Sequence, residues 1–560
     1  MDVVLVGLPG SGKSVVGKRL AGRWRATFVD LDESIEATAG KRIPEIFAED
    51  GEPTFRAFER DAVAALGPAD PEPSVRRVIS TGGGAVVDPR NRWQLYRGRL
   101  ALWLDGRPEV LAQRLRRSVH VRPLVAGRDP IGAVRALANA RSRFYGAAMR
   151  VNGMTEVPVV VEACDAARAA WLEAGGQKGG RAAGRPGATL LRAESALGEL
   201  VIGAGIAPLE VGAALRRLGA RRAILVSEPG AWIAAGEELG RALDATGWLV
   251  ETVMLPQGEA AKQLAAIEAA ARELARLRVE RGEPLVAIGG GALGDAAGFL
   301  AATWLRGVPV VHVPTTLVAQ IDSSIGGKTA VDLPEGKNLV GAIHQPAAIV
   351  TDIAFLRLLA VDERRAALGE AVKMAALGDE RLFELLERDG DAVARGDAAA
   401  FESGAVAELV ERAAWAKVEV VLDDERETGP DGRIRLNLGH SLGHAVEAAG
   451  SFRELRHGEA VAYGLRAACR IGRELGLTPG ARAERIERLL DALALAVAPL
   501  PYRLDAVVGA LASDKKHAGG RLRWVLPTED GVVVRSEVPL ELVSRVAAGL
   551  LGGVAAEATP

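Results

Sequence analysis

Short β-branched and aliphatic runs alternate along the first third of the chain with segments whose apolar residues recur at helical spacing. Val3 to Val6, Phe28-Val29, Val78-Ile79, Leu100 to Leu104 and Val159 to Val161 read as buried strands. Val15 to Arg23 and Pro108 to Arg116 read as amphipathic helices. This alternation predicts an α/β fold, a parallel sheet with helices on both faces. The pattern stops at Gly175 to Gly187, which holds six glycines, one proline and three basic residues but no large apolar side chain. Such a stretch cannot bury enough surface to offset its ordering entropy, so a flexible linker is expected over 175–188. Strand patterns return near Ala223 to Val226, Trp248 to Met254, Leu285 to Ile288 and Val310 to Val313, and from Val361 onward the pattern is mostly helical. The expected organisation is therefore a domain over 1–174, the linker, an α/β subdomain over 189–360 and a helical subdomain over 361–555.

Composition narrows the class. With 560 residues the chain exceeds a single ordinary core. Lys+Arg 70 against Asp+Glu 72 leaves a net charge of -2, which argues against a nucleic-acid footprint over the whole protein. Cys164 and Cys469 are the two cysteines, too few for a disulfide framework or a cysteine zinc site. Any metal thus falls to histidines and carboxylates. The start Met1 to Gly7 lacks a basic region and a long apolar run, and no stretch of about 20 apolar residues follows. A soluble cytoplasmic protein with no membrane partner is expected.

In the first domain, Gly7-Leu8-Pro9-Gly10-Ser11-Gly12-Lys13-Ser14 fits G-x-x-x-x-G-K-S between an expected strand and an expected helix. Glycines let backbone N–H groups curl around phosphates, Lys13 neutralises β/γ-phosphate charge and Ser14 can ligate Mg²⁺. Phe28-Val29-Asp30-Leu31-Asp32 sets two carboxylates at a strand end, followed by Gly51-Glu52-Pro53-Thr54-Phe55-Arg56, Gly82-Gly83-Gly84 and Arg122-Pro123-Leu124. No guanine-type N-K-x-D signature is present. Together these motifs resemble shikimate kinase over roughly Met1 to Leu172. The resemblance implies that Gly10, Ser11, Gly12, Lys13 and Ser14 hold ATP, and that Asp30 lies near Mg²⁺. It further implies that Asp32, Arg56, Gly82, Gly83, Gly84 and Arg141 hold shikimate, with Asp32 at the attacking hydroxyl and Arg122 on a closing lid. Arg116 and Arg117 read equally well as solvated charge at a helix end.

The second half carries Gly289-Gly290-Gly291-Ala292-Leu293-Gly294-Asp295 after a strand, a turn suited to a pyrophosphate at a helix N-terminus. Around it stand Gly258-Glu259-Ala260-Ala261-Lys262, the polar run Pro314 to Lys328 and Gly336-Lys337-Asn338-Leu339-Val340-Gly341. Packing seldom needs so many polar residues between glycines, so a ligand-lining role is expected. His440 and His444 are i, i+4 and share a helix face. His440 and His457 with Glu370 make a two-histidine, one-carboxylate set of the kind that binds catalytic Zn²⁺, whereas His120 and His517 read as ordinary core or surface residues.

These stretches resemble 3-dehydroquinate synthase over about Leu190 to Val546. The resemblance implies conversion of 3-deoxy-arabino-heptulosonate 7-phosphate to 3-dehydroquinate and phosphate, with NAD⁺ and a divalent metal, Zn²⁺ or Co²⁺. Glu370, His440 and His457 would ligate the metal. Lys328, Asn338, Lys373, Lys417, Arg433, Asn437 and His444 would surround the substrate, with Lys328, Lys373, Arg433 and His444 in catalytic roles. Glu259, Lys262, Gly291, Asp295, Thr315, Thr316, Asp322 and Lys337 would border the dinucleotide, and Arg306 would reach a substrate phosphate across a homodimer. Two departures stand out: Ser227-Glu228 after the first nucleotide-binding strand, and the insertion Gly429-Pro430-Asp431-Gly432 before Arg433. Asp514-Lys515-Lys516 matches a late motif of the family, with either lysine placed to reach substrate. The expected function is a fusion of the two enzymes. A related sugar-phosphate cyclase or polyol dehydrogenase remains the rival for the second half. A gluconate-type kinase or a nucleotide-binding regulatory module is the rival for the first.

Overall fold

The computed structural model describes the chain except residues 70, 71, 73, 117–128, 174–186, 430, 452–453, 514–516, 519–520 and 553–560. Arg117, His120, Arg122, most of the expected linker and Asp514-Lys515-Lys516 lie outside the described residues. Two compact units result: Met1–Ala214 with Val350–Ala354, and Leu215–Ile349 with Phe355–Pro560.

In the first unit, β1 (Asp2–Val6), β2 (Thr27–Asp30), β3 (Arg77–Ser80), β4 (Leu100–Asp105) and β5 (Met149–Asn152) form a parallel sheet in the order β2-β3-β1-β4-β5. β1 is central and wholly buried, which explains why its sequence shows an unbroken apolar run rather than alternation. The helices that matter below are α1 (Lys13–Trp24), α2 (Leu31–Ala39), α3 (Gly51–Ala64), α4 (Pro130–Tyr145) and α5 (Val157–Glu173). Val159 to Val161, expected as a strand, lie in α5. Pro158 occupies its first turn, where a missing N–H costs nothing, and Val160, Val161 and Cys164 enter the core at helical spacing while Val159 is exposed. The fifth strand is β5, whose sequence Met-Arg-Val-Asn carries no apolar run because it lies at the sheet edge. This unit also contains the antiparallel hairpin of β6 (Ala188–Ser195) and β7 (Gly198–Ala204). Asp352 caps the turn after β7, accepting from the backbone N–H of Gly205, Ile206 and Ala207 at 2.7, 2.8 and 3.0 Å.

In the second unit, β8 (Ala223–Ser227), β9 (Val250–Met254), β10 (Leu285–Gly289) and β11 (Val310–Pro314) run parallel in the order β11-β10-β8-β9. Ala348 and Ile349 pair with Val311 and His312 of β11. β12 (Lys328–Leu333) and β13 (Gly336–Ile343) make a separate antiparallel hairpin. Helix α6 (Gly291–Thr303) leaves β10 and packs its alanine- and leucine-rich face into the core. The remainder is mostly helical, as expected, apart from the antiparallel strand pairs His517–Ala518 with Arg521–Leu522 and Trp524–Pro527 with Val532–Arg535. Helices α7 (Val361–Ala376), α8 (Ala405–Asp423), α9 (His440–Ala449) and α10 (His457–Glu474) build the site region. Glycines set how closely these helices approach. A Cβ on Gly369 would collide with the Gly458 carbonyl, and one on Gly464 would collide with that of Gly439. The first crossing brings Glu370 to the start of α10, and the second brings the start of α9 against α10. No helix among the described residues is long and apolar enough to cross a membrane.

Candidate active sites

The phosphate loop lies between β1 and α1, with Gly12 at φ 91° preceding the helix, a left-handed conformation that favours glycine. Lys13 is buried and its Nζ donates to the carbonyls of Gly7 and Leu8 at 2.8 and 3.1 Å. Ser14 Oγ donates to Asp30 Oδ2 at 2.7 Å, so the hydroxyl and carboxylate expected beside Mg²⁺ are adjacent. Asp30 Oδ1 in turn accepts from the N–H of Asp32 and thereby caps α2. These groups line a cavity of about 890 Å³ that also takes in Arg56, the Gly82 to Gly84 turn and Arg141. At its far wall, Gly82 lies where a Cβ would stand 2.7 Å from Asp32 Oδ1, and Arg141 Nη1 and Tyr145 OH both donate to the Gly83 carbonyl, at 2.8 and 2.5 Å. The described residues predicted for this site thus converge. Glu59 was not foreseen. It is almost wholly buried, accepts from Arg56 Nη1 at 2.8 Å through Oε2 and leaves Oε1 without a hydrogen bond. Burial pushes its carboxyl upward against the pull of Arg56. Its i, i+3 spacing from Arg56 on α3 was the available signal.

In the second unit, Glu370 is fully buried, and its Oε1 stands 3.0 Å from His457 Nε2 and 3.4 Å from His440 Nε2. Lys373 Nζ lies 2.5 Å from its Oε2, yet neither carboxylate oxygen is in a hydrogen bond of sound geometry. A buried carboxylate faced by two imidazoles and left unsatisfied in this way is a donor set suited to a cation. Burial favours the neutral acid, but Lys373 and His440 outweigh it and hold Glu370 well below the usual carboxylate range. Burial drives His440 down; His457 is pulled down by burial too, but the facing Glu370 and Glu447 carboxylates push it up to about 10.

A chain of charges leads away from this cluster. Asp322, on a π-helical turn (Ala319–Ser323), stands 3.6 Å from Lys373 Nζ and 2.8 Å from Lys417 Nζ. Burial would raise its carboxyl, but the two lysines prevail and hold it at about 2. Lys417 also donates to the Asp322 carbonyl at 2.6 Å, while burial lowers its ammonium against the pull of Asp322. Arg433 Nη1 donates to the carbonyls of Gly326 and Glu425 at 2.9 and 2.6 Å. Lys328 pairs with Glu427, whose other oxygen accepts from Asn437 Nδ2 at 3.4 Å. Glu427 was missed by sequence reasoning. It holds φ 56° just before the insertion, in a loop that Asp424 ties down by accepting from Thr428 and Gly429, each at 3.0 Å. The ring of His444 lies 5.2 Å from that of His440 and 5.9 Å from that of His457.

The dinucleotide-type residues gather around α6. Lys262 is buried, 2.9 Å from Asp295 Oδ2, and it also donates to Asn338 Oδ1. Asn338, expected beside substrate, is therefore tied to the group assigned to the dinucleotide. Lys337 and Glu259 pair at 3.1 Å. No side chain caps the N-terminus of α6, and a Cβ on Gly291 would lie 2.9 Å from the unsatisfied Ser323 Oγ. Thr315 N–H donates to the Gly289 carbonyl at 2.9 Å, and Thr316 Oγ1 accepts from Ala319 N at 3.3 Å. Glu228, the departure noted after β8, is buried and accepts from Gly258 N–H at 2.5 Å.

Comparison with known proteins now bears on these geometries. Residues 252–366 match the model of the 3-dehydroquinate synthase N-terminal family and 367–517 that of its C-terminal family. The 3-dehydroquinate synthase of Symbiobacterium thermophilum is 43% identical over 340 residues, spanning 60% of this chain and 92% of that protein. The chain belongs to the 3-dehydroquinate synthase family. The synthase of Nostoc punctiforme is 41% identical over 333 residues, 59% of this chain and 90% of its own. Among solved structures, 2-epi-5-epi-valiolone synthase of Streptomyces hygroscopicus subsp. jinggangensis, with NAD⁺ and Zn²⁺ bound, is 29% identical with a TM-score of 0.55, covering 59% of this chain and 90% of that one. A 2-deoxy-scyllo-inosose synthase, complexed with carbaglucose-6-phosphate, NAD⁺ and Co²⁺, is 25% identical with a TM-score of 0.57, covering 63% and 97%. Residues 9–161 match the shikimate kinase family model, so a shikimate kinase domain precedes the synthase on one polypeptide.

Proposed function

We propose that the chain phosphorylates shikimate with ATP at the first site and converts 3-deoxy-arabino-heptulosonate 7-phosphate to 3-dehydroquinate and phosphate at the second, and that the residues above divide the work as follows. In the kinase, the loop from Gly10 to Ser14 cradles the ATP phosphates, and Ser14 with Asp30 holds Mg²⁺. Arg56 and Arg141 clamp the shikimate carboxylate, since an arginine fork fits two carboxylate oxygens at once. Asp32 accepts the proton of the attacking hydroxyl, and Arg122 belongs to a lid that excludes water.

In the synthase, Glu370, His440 and His457 hold a divalent metal, Zn²⁺ or Co²⁺, and the N-terminus of α6 with Lys262 and Asp295 borders NAD⁺. When bound, the dinucleotide supplies a reversible oxidation of a substrate hydroxyl and the metal supplies Lewis acidity at the neighbouring oxygens. The chain's own groups do the rest. Lys328, Arg433 and Asn437 bind the anionic substrate, with Glu427 yielding its place on Lys328 and Asn437. Lys373 and Lys417 offset negative charge as it develops within a buried site, where such charge is costly to leave alone. His444 stands beside the two ligand histidines to receive or return a proton. Hydride loss is matched by hydride return, so no net redox change is expected.

The observation that carries this reading is the unsatisfied Glu370 carboxylate between His440, His457 and Lys373. It is tested by measuring ADP formed with shikimate and phosphate released from the heptulosonate phosphate on one preparation. A chelator should stop the second in a way that added Zn²⁺ or Co²⁺ reverses, and net NADH should not accumulate. Full synthase turnover after rigorous metal removal, or stoichiometric NADH, would refute it. The polyol dehydrogenase rival predicts the NADH.

We also propose a homodimer in which Arg306 serves the neighbouring subunit's substrate. Arg306 is exposed on a turn where it and Leu305 hold φ of 70° and 48°, a strained presentation for two non-glycine residues. Mixing inactive Arg306→Ala and Glu370→Ala subunits under exchange should restore about a quarter of the parent rate, because half of the random dimers are hybrids with one complete site each. No recovery, with hybrids shown to form, would place Arg306 in its own subunit's site, and an Arg306→Ala protein that is active by itself would place it outside catalysis. The expected domain boundaries, 1–174, 189–360 and 361–555 around a linker, are retained as part of this reading, with the note that strand β6 already begins at Ala188.

A further inference from the structure

His440 and His457 aim Nε2 at the same Glu370 oxygen, and each imidazole has an acceptor behind it at Nδ1. For His440 this is the Leu438 carbonyl at 3.1 Å, and for His457 it is Glu447 Oε2 at 3.4 Å. An acceptor at Nδ1 keeps the proton there and leaves the lone pair at Nε2, which is the form of imidazole that binds a cation. The two acceptors are not equivalent. A carbonyl is neutral, whereas a carboxylate makes the opposite nitrogen a stronger donor. His457 needs the stronger hold: it is half-buried at the first position of α10, whereas His440 is buried. Glu447 is itself buried on α9, seven residues after His440 and three after His444, so the three side chains share one helix face.

We propose that Glu447 is a positioning residue for the metal centre, fixing the tautomer and orientation of His457 and raising its strength as a ligand. The proposal rests on the ligand set Glu370, His440 and His457. Oxygen and nitrogen atoms of His444, Glu447 and His457 also lie within 4.8 Å of one another, so the competing role for Glu447 is direct ligation of a second ion.

The test is a Co²⁺ titration of the full-length protein after metal removal, followed by visible absorption, for the parent, Glu370→Ala, Glu447→Gln and Glu447→Ala. Glutamine keeps the size of the side chain and an oxygen that can accept from Nδ1, so only the charge is lost; alanine removes both. The parent should bind one Co²⁺ per chain. Glu447→Gln should bind it about 10-fold more weakly and Glu447→Ala about 100-fold more weakly, the range expected for an outer-shell partner. The absorption bands should shift, while the melting temperature of metal-free Glu447→Gln and its kinase rate should match the parent. Parent-like affinity and spectrum in Glu447→Gln and Glu447→Ala would overturn the proposal. So would two Co²⁺ per parent chain falling to one in Glu447→Gln, since that makes Glu447 a ligand. A parent-like Co²⁺ site in Glu370→Ala would instead bring down the ligand set, an outcome distinct from either of those.

Discussion

Glu370→Gln is expected to stop phosphate release from the heptulosonate phosphate while shikimate-dependent ADP formation continues at the parent rate. The side chain is fully buried and is the one anion of the proposed ligand set, so glutamine keeps its shape but removes the charge that two imidazoles and Lys373 face. Loss of a direct anionic ligand should weaken metal binding by more than the roughly 10–100-fold typical of an outer-shell partner. The fold should survive. A buried charge stripped of all its partners costs about 3–5 kcal/mol, but Lys373 keeps Asp322 at 3.6 Å and so is not stripped. Metal content after dialysis, the two product assays and a melting curve measure each part. A Glu370→Gln protein that retains the parent synthase rate would remove this carboxylate from the centre, and one that loses both activities would show general misfolding instead.

The chemistry of both sites was legible where residue type and spacing together define a function. Lys13 and Ser14 follow from the glycine loop, whereas the cysteine count only turned attention to histidines and carboxylates, and Glu370, His440 and His457 were singled out by the resemblance to 3-dehydroquinate synthase. Parallel strands with unbroken apolar runs, such as β1 and β10, were legible for the same reason that they are buried on both faces. What escaped were features that depend on neighbours rather than on periodicity. β5 is an edge strand with mixed residues, and the β6–β7 and β12–β13 hairpins do not follow the strand–helix alternation. Val159 to Val161 misled because β-branched composition was read ahead of the helical spacing of Val160, Val161 and Cys164. The three carboxylates missed, Glu59, Glu427 and Glu447, each act by holding another site residue. A sequence shows that such a group exists, but only the packing shows whether its partner is Arg56, Lys328 or His457. The same limit explains Asn338, whose motif suggested substrate but whose amide oxygen accepts from Lys262.

Lys13→Ala should abolish phosphoryl transfer to shikimate and leave dehydroquinate formation untouched. Lys13 Nζ donates to the Gly7 and Leu8 carbonyls at 2.8 and 3.1 Å, in the loop that would wrap the nucleotide. Its charge is wanted most when the γ-phosphoryl group is in flight, since negative charge then spreads over oxygens inside a cavity with little water to screen it. Removing one such preorganised donor typically costs on the order of 10²–10³ in rate, and loss of a full positive charge should reach the upper end. The Gly7 and Leu8 carbonyls left behind are buried, so losing the ammonium should also cost stability, about 1–3 kcal/mol for a buried acceptor left unpaired. Synthase turnover is the internal control, because its proposed residues all belong to the second compact unit. Those two steps are also not consecutive in the chemistry: dehydroquinate must still lose water and be reduced before it becomes shikimate. Nothing in the reaction order requires one site to feed the other directly. A Lys13→Ala protein that folds normally yet loses synthase activity as well would therefore mean that the two sites share a conformational state, and the reading of them as independent catalysts would have to be given up.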